Sequence, residues 1–223
     1  MCIGRAPTGW ENENVGRRDE ADEGRTLHPM HVVVAAGTPT EWARFGVPEW
    51  SRRLDDLADG ATGAGWVTLV PHHGPQPTPD EVARVRDGLV AVGARATDPE
   101  SPVPSLRHHR NAPGRPSVIV EPMADGRARF ADTVERLRRE GCDPAALDES
   151  MLSRALLAPA PVEPDLVVVL GPSDVLPTSL VWELAYSELV FLDSGWEALR
   201  SDHLRIAVDD FARRTRRFGG IDP

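Results

Sequence analysis

Five short, mostly apolar runs, rich in valine and leucine, predict buried strands along the chain. They lie at residues 31–36, 65–70, 117–120, 165–170 and 188–192. A strand inside a parallel sheet is buried on both faces, so it lacks the alternation of apolar and polar positions found in half-exposed strands. The runs therefore predict a sheet whose strands are mostly parallel.

Segments with apolar residues at helical spacing separate these runs and predict helices. The predicted helices cover residues 50–57, 129–140, 148–157 and 178–187, and another begins near residue 80. A last amphipathic helix carries Leu204, Val208 and Phe211 on one face. Because strands alternate with helices, we expect an α/β fold with a single, mostly parallel β-sheet flanked by helices on both sides.

The connection after the first strand has the signature of a helix start. Gly37 ends the strand and Thr38 stands at the N-cap position. Pro39 follows at the first helical position, and Glu41 stands where its side chain closes a capping box. The opening unit is therefore predicted to be strand, tight turn and helix.

Two regions show no periodic pattern. Residues 1–27 are polar and of mixed charge, which predicts a flexible N-terminal tail before a domain over residues 28–223. Residues 97–116 are basic and interrupted by prolines, and we expect a loop there.

The composition excludes several classes of function. The 223 residues carry 25 basic and 35 acidic side chains, a net charge of −10, which argues against a nucleic-acid-binding protein. No apolar run approaches the roughly 20 residues of a membrane-spanning helix, and the N-terminus lacks the apolar core of a signal peptide. We expect a cytoplasmic protein without an integral membrane segment.

Common motifs for phosphate and metal binding are absent. No Gly-x-Gly-x-x-Gly follows the first strand, and a chain without lysine cannot form a P-loop. The histidine pairs His72-His73 and His108-His109 have no third ligand at a recognisable spacing, so we expect solvated loop histidines. Two cysteines, Cys2 and Cys142, are too few for a disulfide framework or a zinc site.

The C-terminal part contains a series of motifs that resembles one family. The motifs are Pro164-Asp165-Leu166, Leu180-Val181-Trp182, Ala185-Tyr186-Ser187-Glu188-Leu189-Val190-Phe191-Leu192-Asp193, Trp196 and Arg216-Arg217-Phe218-Gly219-Gly220. In this combination they resemble the cis-prenyltransferase (undecaprenyl diphosphate synthase) family. Pro29-Met30-His31-Val32 and Trp42-Ala43 match the opening strand of that family and the helix after it. The resemblance implies a cis-prenyltransferase-like fold with a shortened central region around residues 105–115.

The resemblance also implies a demanding chemistry. Family members ionise an allylic diphosphate and join it to isopentenyl diphosphate with Mg²⁺, so their cleft concentrates several negative charges. Arginines, a metal held by carboxylates and helix N-terminal amides are suitable groups to hold these charges.

At most of the positions that align with the family's diphosphate-binding and metal-binding residues, this chain has other residues. The family aspartate after the first strand falls on Gly37, and an arginine of the following motif falls on Glu41. In the loop that holds isopentenyl diphosphate in the family, two arginines are replaced by Val169 and Val175. The resemblance thus implies a cleft that has lost its cationic groups.

Two charge-bearing features of the family remain. Glu188 matches a metal-binding carboxylate, although a single carboxylate is a poor Mg²⁺ site. Arg217, Gly219 and Gly220 match the family's C-terminal tail, which in family dimers crosses the interface and binds the diphosphate of the neighbouring subunit. A glycine-rich turn presents backbone N–H groups at close range, and Arg217 supplies positive charge.

This pattern predicts a catalytically impaired subunit without a catalytic residue of its own. We expect it to pair with an active isoprenyl diphosphate synthase, or with itself, and to complete the partner's site with its Arg-x-Gly tail. Mg²⁺ would then belong to the partner. The alternative is a divergent enzyme acting on prenyl diphosphates through a new anion site, for which the local basic cluster Arg107, Arg110 and Arg115 is the candidate. A third class is a module that binds a small molecule or a lipid in the remnant of the family's tunnel without reaction.

Overall fold

The strands form one sheet with a parallel centre and an antiparallel edge. The computed structural model describes residues 30–97, 106–108, 114–123, 125–171, 175–180, 182–185 and 187–213. Its strands are β1 (His31–Ala35), β2 (Trp66–Val70), β3 (Arg95–Ala96), β4 (Leu106–His108), β5 (Ser117–Val120), β6 (Leu166–Leu170) and β7 (Glu188–Leu192). Their order across the sheet is β3-β4-β5-β2-β1-β6-β7. All pairs from β5 to β7 are parallel, whereas β3 and β4 pair antiparallel.

Helices connect the strands and cover the sheet. They are α1 (Pro39–Trp42), α2 (Val47–Gly60), α3 (Pro79–Ala91), α4 (Gly126–Arg139), α5 (Glu149–Leu157) and α6 (Ser201–Arg213). The fold class expected from the sequence is confirmed. None of the helices among the described residues is both long and apolar enough to span a bilayer.

The two faces of the sheet bury different clusters, because neighbouring strand residues point to opposite sides. Val32 and Val34 belong to the larger cluster, which includes the buried tryptophans Trp42 and Trp50. Val33 and Ala35 belong to the smaller cluster on the other face. Each fully buried Val or Leu side chain stabilises the fold by about 1.5–3 kcal/mol. The larger cluster, under α2 and α6, is therefore the main source of stability.

The helix starts follow the predicted capping chemistry. Thr38 and Glu41 form the expected capping box, with Pro39 in the first turn. A second box of the same type, formed by Thr78 and Glu81, begins α3. The Thr40 hydroxyl donates to Glu81 Oε1 at 2.8 Å, which joins the two helix starts.

Two expectations from the sequence are wrong. Residues 97–116 were expected to form only a loop, but β4 lies within them and pairs with β5. The helix expected at 178–187 is reduced, in the described part of that segment, to the 3-10 turn Glu183–Ala185. Contacts between residues distant in sequence determine the structure of both segments, because a three-residue strand and a one-turn helix carry almost no periodic signal. The predicted tail at 1–27 lies outside the described residues.

Candidate functional site

The loops after β1, β2 and β6 meet at the carboxyl edge of the sheet. The His72 amide donates to the Gly37 carbonyl at 2.9 Å, and a Cβ atom on Gly171 would lie 3.2 Å from the His72 ring. In open α/β sheets ligands bind in the crevice outside the carboxyl ends of the strands. This edge is therefore the first place to look for a site.

Gly37 adopts a conformation that leaves no room for a side chain. Its φ is +64°, and a Cβ atom there would lie 2.7 Å from Trp196 Cδ1 and 3.1 Å from Glu41 Oε2. The indole of Trp196 thus occupies the place where the resemblance expects an aspartate side chain. That indole is 5% exposed and packs between neighbouring aromatic rings, so it cannot move aside freely.

Arg53 holds Trp196 in place from the buried side. The guanidinium lies over the Trp196 ring, 4.4 Å from its centroid, and donates to the Trp196 carbonyl. Nη2 also donates to the Glu197 carbonyl at 3.1 Å, and Nε donates to Glu49 Oε1 at 2.8 Å. Burial lowers the pKa of Arg53, although Glu49 opposes this shift. Arg53 is therefore a structural group and not a free cation of the site.

At the helix start beside Gly37, the backbone binds a carboxylate of the same helix. Glu41 Oε2 accepts from the Thr38 amide at 2.7 Å and from the Thr38 hydroxyl at 3.1 Å. The Glu41 amide in turn donates to the Thr38 hydroxyl at 3.2 Å. A phosphate oxygen would have to displace this carboxylate and would be repelled by its charge. The arrangement is thus poorly suited to bind an anion.

His72 fills the space between the loops after β2 and β6. It is 3% exposed, its Nε2–H donates to the Val175 carbonyl at 3.0 Å, and its ring stacks on His73 at 5.0 Å. The Ser179 hydroxyl holds the same loop by donating to the Pro71 carbonyl at 2.6 Å. The expectation of a solvated histidine is therefore wrong for His72. His108 is also buried, at 7% exposure, and bonds the Val92 carbonyl through Nε2.

Glu188 does not lie near this edge in the same subunit. It is the first residue of β7, in register with Leu166 of β6 and through it with Val32 of β1. Gly37 lies five residues beyond Val32. At about 3.3 Å per strand residue this is a separation of about 16 Å along the sheet. The residues present do not fit a Mg²⁺ site formed by these two positions, and no group of three potential ligands occurs among the described residues.

The candidate arginines of the alternative anion site lie at the opposite, amino edge. Arg115 pairs with Asp55 and Asp59 of α2. Arg107 donates to the Ser117 hydroxyl at 3.3 Å and lies over the Trp66 ring, 4.8 Å from its centroid. The structure does not bring them to the carboxyl edge. Arg110 and the tail residues Arg217, Gly219 and Gly220 lie outside the described residues.

A buried polar cluster on the smaller-cluster face of the sheet was missed by the sequence analysis. It surrounds a small cavity and consists of His31, Thr68, Glu121, Arg129 and Glu183. Arg129 and Glu183 form an ion pair in which the side chains are 9% and 1% exposed. The sequence contained a sign of this cluster: Arg129 stands four residues before Thr133 and eight before Leu137, which places it on the buried face of α4. An arginine on the apolar face of a helix needs a buried partner.

His31 has a defined tautomer within this cluster. Nδ1 bonds the Val162 carbonyl at 3.0 Å, so Nδ1 carries the proton. Nε2 is then free to accept from the Thr68 hydroxyl at 2.8 Å. Burial lowers the pKa of His31, with the Val162 carbonyl opposing the shift. The imidazole is therefore neutral at pH 7.

An apolar surface is left half exposed at the β7 edge of the sheet. Leu184, Leu189 and Phe191, here called the β7 face, pack on the smaller cluster but are only partly buried. β7 pairs with β6 alone in the described sheet, so its other side has no neighbouring strand. Leu176 nearby in sequence is 54% exposed. An edge strand with half-exposed apolar side chains is typical of a surface that is covered by another chain.

Comparison with known proteins finds a family model and curated relatives that each match part of the chain. Residues 118–219 match the family model described as "Putative undecaprenyl diphosphate synthase". "Isoprenyl transferase 2" of Bradyrhizobium diazoefficiens is 36% identical over 111 residues, which are 48% of this chain and 44% of that protein. "Trans,polycis-polyprenyl diphosphate synthase ((2Z,6E)-farnesyl diphosphate specific)" of Thermobifida fusca is 34% identical over 102 residues, which are 44% of this chain and 36% of that protein. The chain thus spans less than half the length of these two relatives.

Solved structures match over more of the chain, but at low identity. Lavandulyl diphosphate synthase from Lavandula x intermedia, in complex with dimethylallyl diphosphate, aligns with 86% of this chain and 99% of its own at a TM-score of 0.55 and 15% identity. A probable undecaprenyl diphosphate synthase from Campylobacter jejuni aligns with 87% of this chain and all of its own at a TM-score of 0.54 and 14% identity. At this identity the likeness concerns the fold alone.

Proposed function

The chain belongs to the cis-prenyltransferase family, and on that premise we propose that it is a subunit that does not catalyse condensation alone but pairs with an active isoprenyl diphosphate synthase. The observation that carries this proposal is the packing next to Gly37 at the carboxyl edge of the sheet. Trp196 occupies the space next to Gly37, and the Glu41 side chain accepts from the Thr38 amide at the adjacent helix start. The place of the family aspartate and one amide beside it are therefore taken by the chain's own side chains, which supports the loss of a diphosphate site.

The electrostatics of the same edge support the proposal. Two positions where the family has arginines are valines, and Val169 is fully buried. Replacing a charge-assisted hydrogen bond to a diphosphate by an apolar contact removes an attraction about twice as strong as a neutral hydrogen bond. The neighbouring Glu41 carboxylate adds repulsion.

The β7 face supports the pairing. Partly exposed Leu184, Leu189 and Phe191 lie on an edge strand, so a second subunit of the same fold could bury them without disturbing the helix-covered core. We propose that this second subunit is a catalytic cis-prenyltransferase. Self-association is the competing outcome of the test below.

The proposed contribution of this chain to the shared site is its tail. Arg217, Gly219 and Gly220 would offer one guanidinium and two backbone amides to the diphosphate bound in the partner. Mg²⁺ would be held by the partner's own ligands, since the described residues of this chain do not provide a set.

The experiment measures condensation of an allylic diphosphate with isopentenyl diphosphate and Mg²⁺. We expect no turnover by the purified chain and a rise in turnover when the isoprenyl transferase from the same organism is titrated with it. Arg217→Ala should abolish the rise while the complex still assembles. The control is Arg205→Ala, since Arg205 lies on exposed α6 surface and pairs with Asp202 at 3.0 Å.

Two results would contradict the proposal. Turnover by the isolated chain would favour the divergent-enzyme hypothesis. The absence of any complex between the two proteins, together with formation of a homodimer, would show that the β7 face binds a second copy instead.

A further inference from the structure

The first turns of α4 are joined to the segment that leads into β7. The Gly126 amide donates to the Thr178 carbonyl at 3.0 Å. Arg129 Nη2 donates to Glu183 Oε1, and the next residue, Phe130, stacks on Trp182 with 6.1 Å between ring centroids and 21° between ring planes. Residues 182–185 are thus fixed from α4 by one buried ion pair and one aromatic stack.

Arg129 is a buried cation placed between two carboxylates. Glu183 and Glu121 both raise the pKa of its guanidinium against the opposing effect of burial. Glu121 follows β5, accepts from the Met123 amide at 3.0 Å and is itself 8% exposed. Within the described residues neither Arg129 Nε nor Glu183 Oε2 has a further hydrogen-bond partner. Glu183 therefore depends on Arg129 for compensation of its charge.

Glu183 also connects the ion pair to the β7 face. It lies next to Leu184, and the Ser187 Oγ lies 2.5 Å from the Glu183 carbonyl oxygen and 2.9 Å from the Pro164 carbonyl oxygen, which share its single hydroxyl proton. Glu188 then begins β7. A displacement of Glu183 would consequently move both Leu184 and the start of the strand that carries Leu189.

We propose that Arg129 is a positioning residue for the β7 face. It holds Glu183 inside the protein and thereby sets where Leu184 and the start of β7 lie. Without Arg129, Glu183 would be a buried, uncompensated charge, and such a charge is removed by moving the side chain into water. This inference rests on the proposed function only in that the β7 face is the surface offered to a catalytic subunit.

The test is hydrogen–deuterium exchange of the isolated full-length chain, read by mass spectrometry for peptides that cover residues 182–192. We expect exchange there to be at least about tenfold faster in Arg129→Met than in the wild type, with β1 and β2 unchanged. In the double variant Arg129→Met/Glu183→Gln the uncompensated charge of Glu183 is gone. Glu121 remains, but it follows β5 and does not lie in 182–192, so we expect exchange of that segment to return close to that of the wild type.

Arg53→Met is the matched control, because it removes another buried arginine, whose partners include the main-chain carbonyls of Trp196 and Glu197 outside the segment 182–192. We expect that variant to affect residues 196–199 and not 182–192. If Arg129→Met does not fold, Glu183→Gln alone serves as the test, with faster exchange confined to 182–192 as the expected result. Uniform acceleration along the chain, or no change at 182–192, would overturn the proposal.

A second measurement separates this inference from the proposed function. Affinity for the isoprenyl transferase from the same organism should fall in Arg129→Met and recover in the double variant. If the wild type shows no affinity at all, the proposed function fails while the exchange result stands. If the wild type binds and Arg129→Met binds equally well, the positioning role fails while the proposed function stands.

Discussion

Restoring the family aspartate by Gly37→Asp should destabilise the protein and should not create a diphosphate site. A non-glycine residue at a φ of +64° costs about 1–2 kcal/mol. A Cβ atom 2.7 Å from the buried Trp196 ring adds an overpacking cost of about 1–3 kcal/mol. These two contributions are shared by Gly37→Ala, which is the matched control and should lose about 2–5 kcal/mol.

The aspartate adds a contribution that alanine lacks, because Glu41 Oε2 lies only 3.1 Å from the Cβ position. Two carboxylates about 4 Å apart repel by about 1–4 kcal/mol, depending on how well water screens them. Urea unfolding at pH 7 should therefore show Gly37→Asp less stable than Gly37→Ala by about that amount. The difference should shrink as acid protonates one of the two carboxyls.

A Gly37→Asp variant as stable as the wild type to within about 0.5 kcal/mol would show that position 37 is not crowded, since ordinary surface substitutions fall in that range. Binding of Mg²⁺–pyrophosphate by this variant would contradict the prediction as well, because the space beside Trp196 would then be open. Equal losses in the two variants at pH 7 would mean that Glu41 does not act on this position.

Three further predictions concern the groups around the site. Since burial lowers the pKa of His31, the free energy of unfolding should fall as the pH drops below about 6.5, the ordinary pKa of histidine in the unfolded chain. Urea unfolding of His31→Gln over the same pH range should show a weaker dependence of this free energy on pH. Arg53→Met should cost about 2–5 kcal/mol by leaving buried carbonyls without a donor, whereas Arg52→Met, whose side chain is 34% exposed, should cost less than about 1 kcal/mol by the same denaturation assay. Thr38→Ala should cost about 1 kcal/mol through loss of the cap, measured by thermal unfolding.

The central strands and the capping chemistry could be predicted from the sequence because they depend on local patterns. The run at 117–120 matches β5, and the runs at 31–36 and 165–170 contain β1 and β6. The Thr38–Glu41 box could be predicted from residue types at fixed spacing. Family resemblance, carried by the motifs from Pro164 onward, agrees with the matched region 118–219.

The remaining features depend on contacts that no local pattern contains. His72 stands in a segment with the sequence of a loop, yet it is buried in the structure. Its Nε2–H donates to the carbonyl of Val175, which lies 103 positions away. Glu188 and Gly37 were associated through the resemblance, but strand register separates them along the sheet. The Arg129–Glu183 pair joins residues 54 positions apart, and only the buried face of α4 gave a hint of it.

The most direct measurement is the binding of Mg²⁺–pyrophosphate to the purified chain alone, followed by isothermal titration calorimetry. We expect no saturable binding, because Trp196 fills the space beside Gly37 and Glu41 places a negative charge there. In the described part of this edge, the buried Val169 also stands where the family has an arginine. Saturable binding at one site per chain, lost on substitution of residues at that edge, would contradict this expectation.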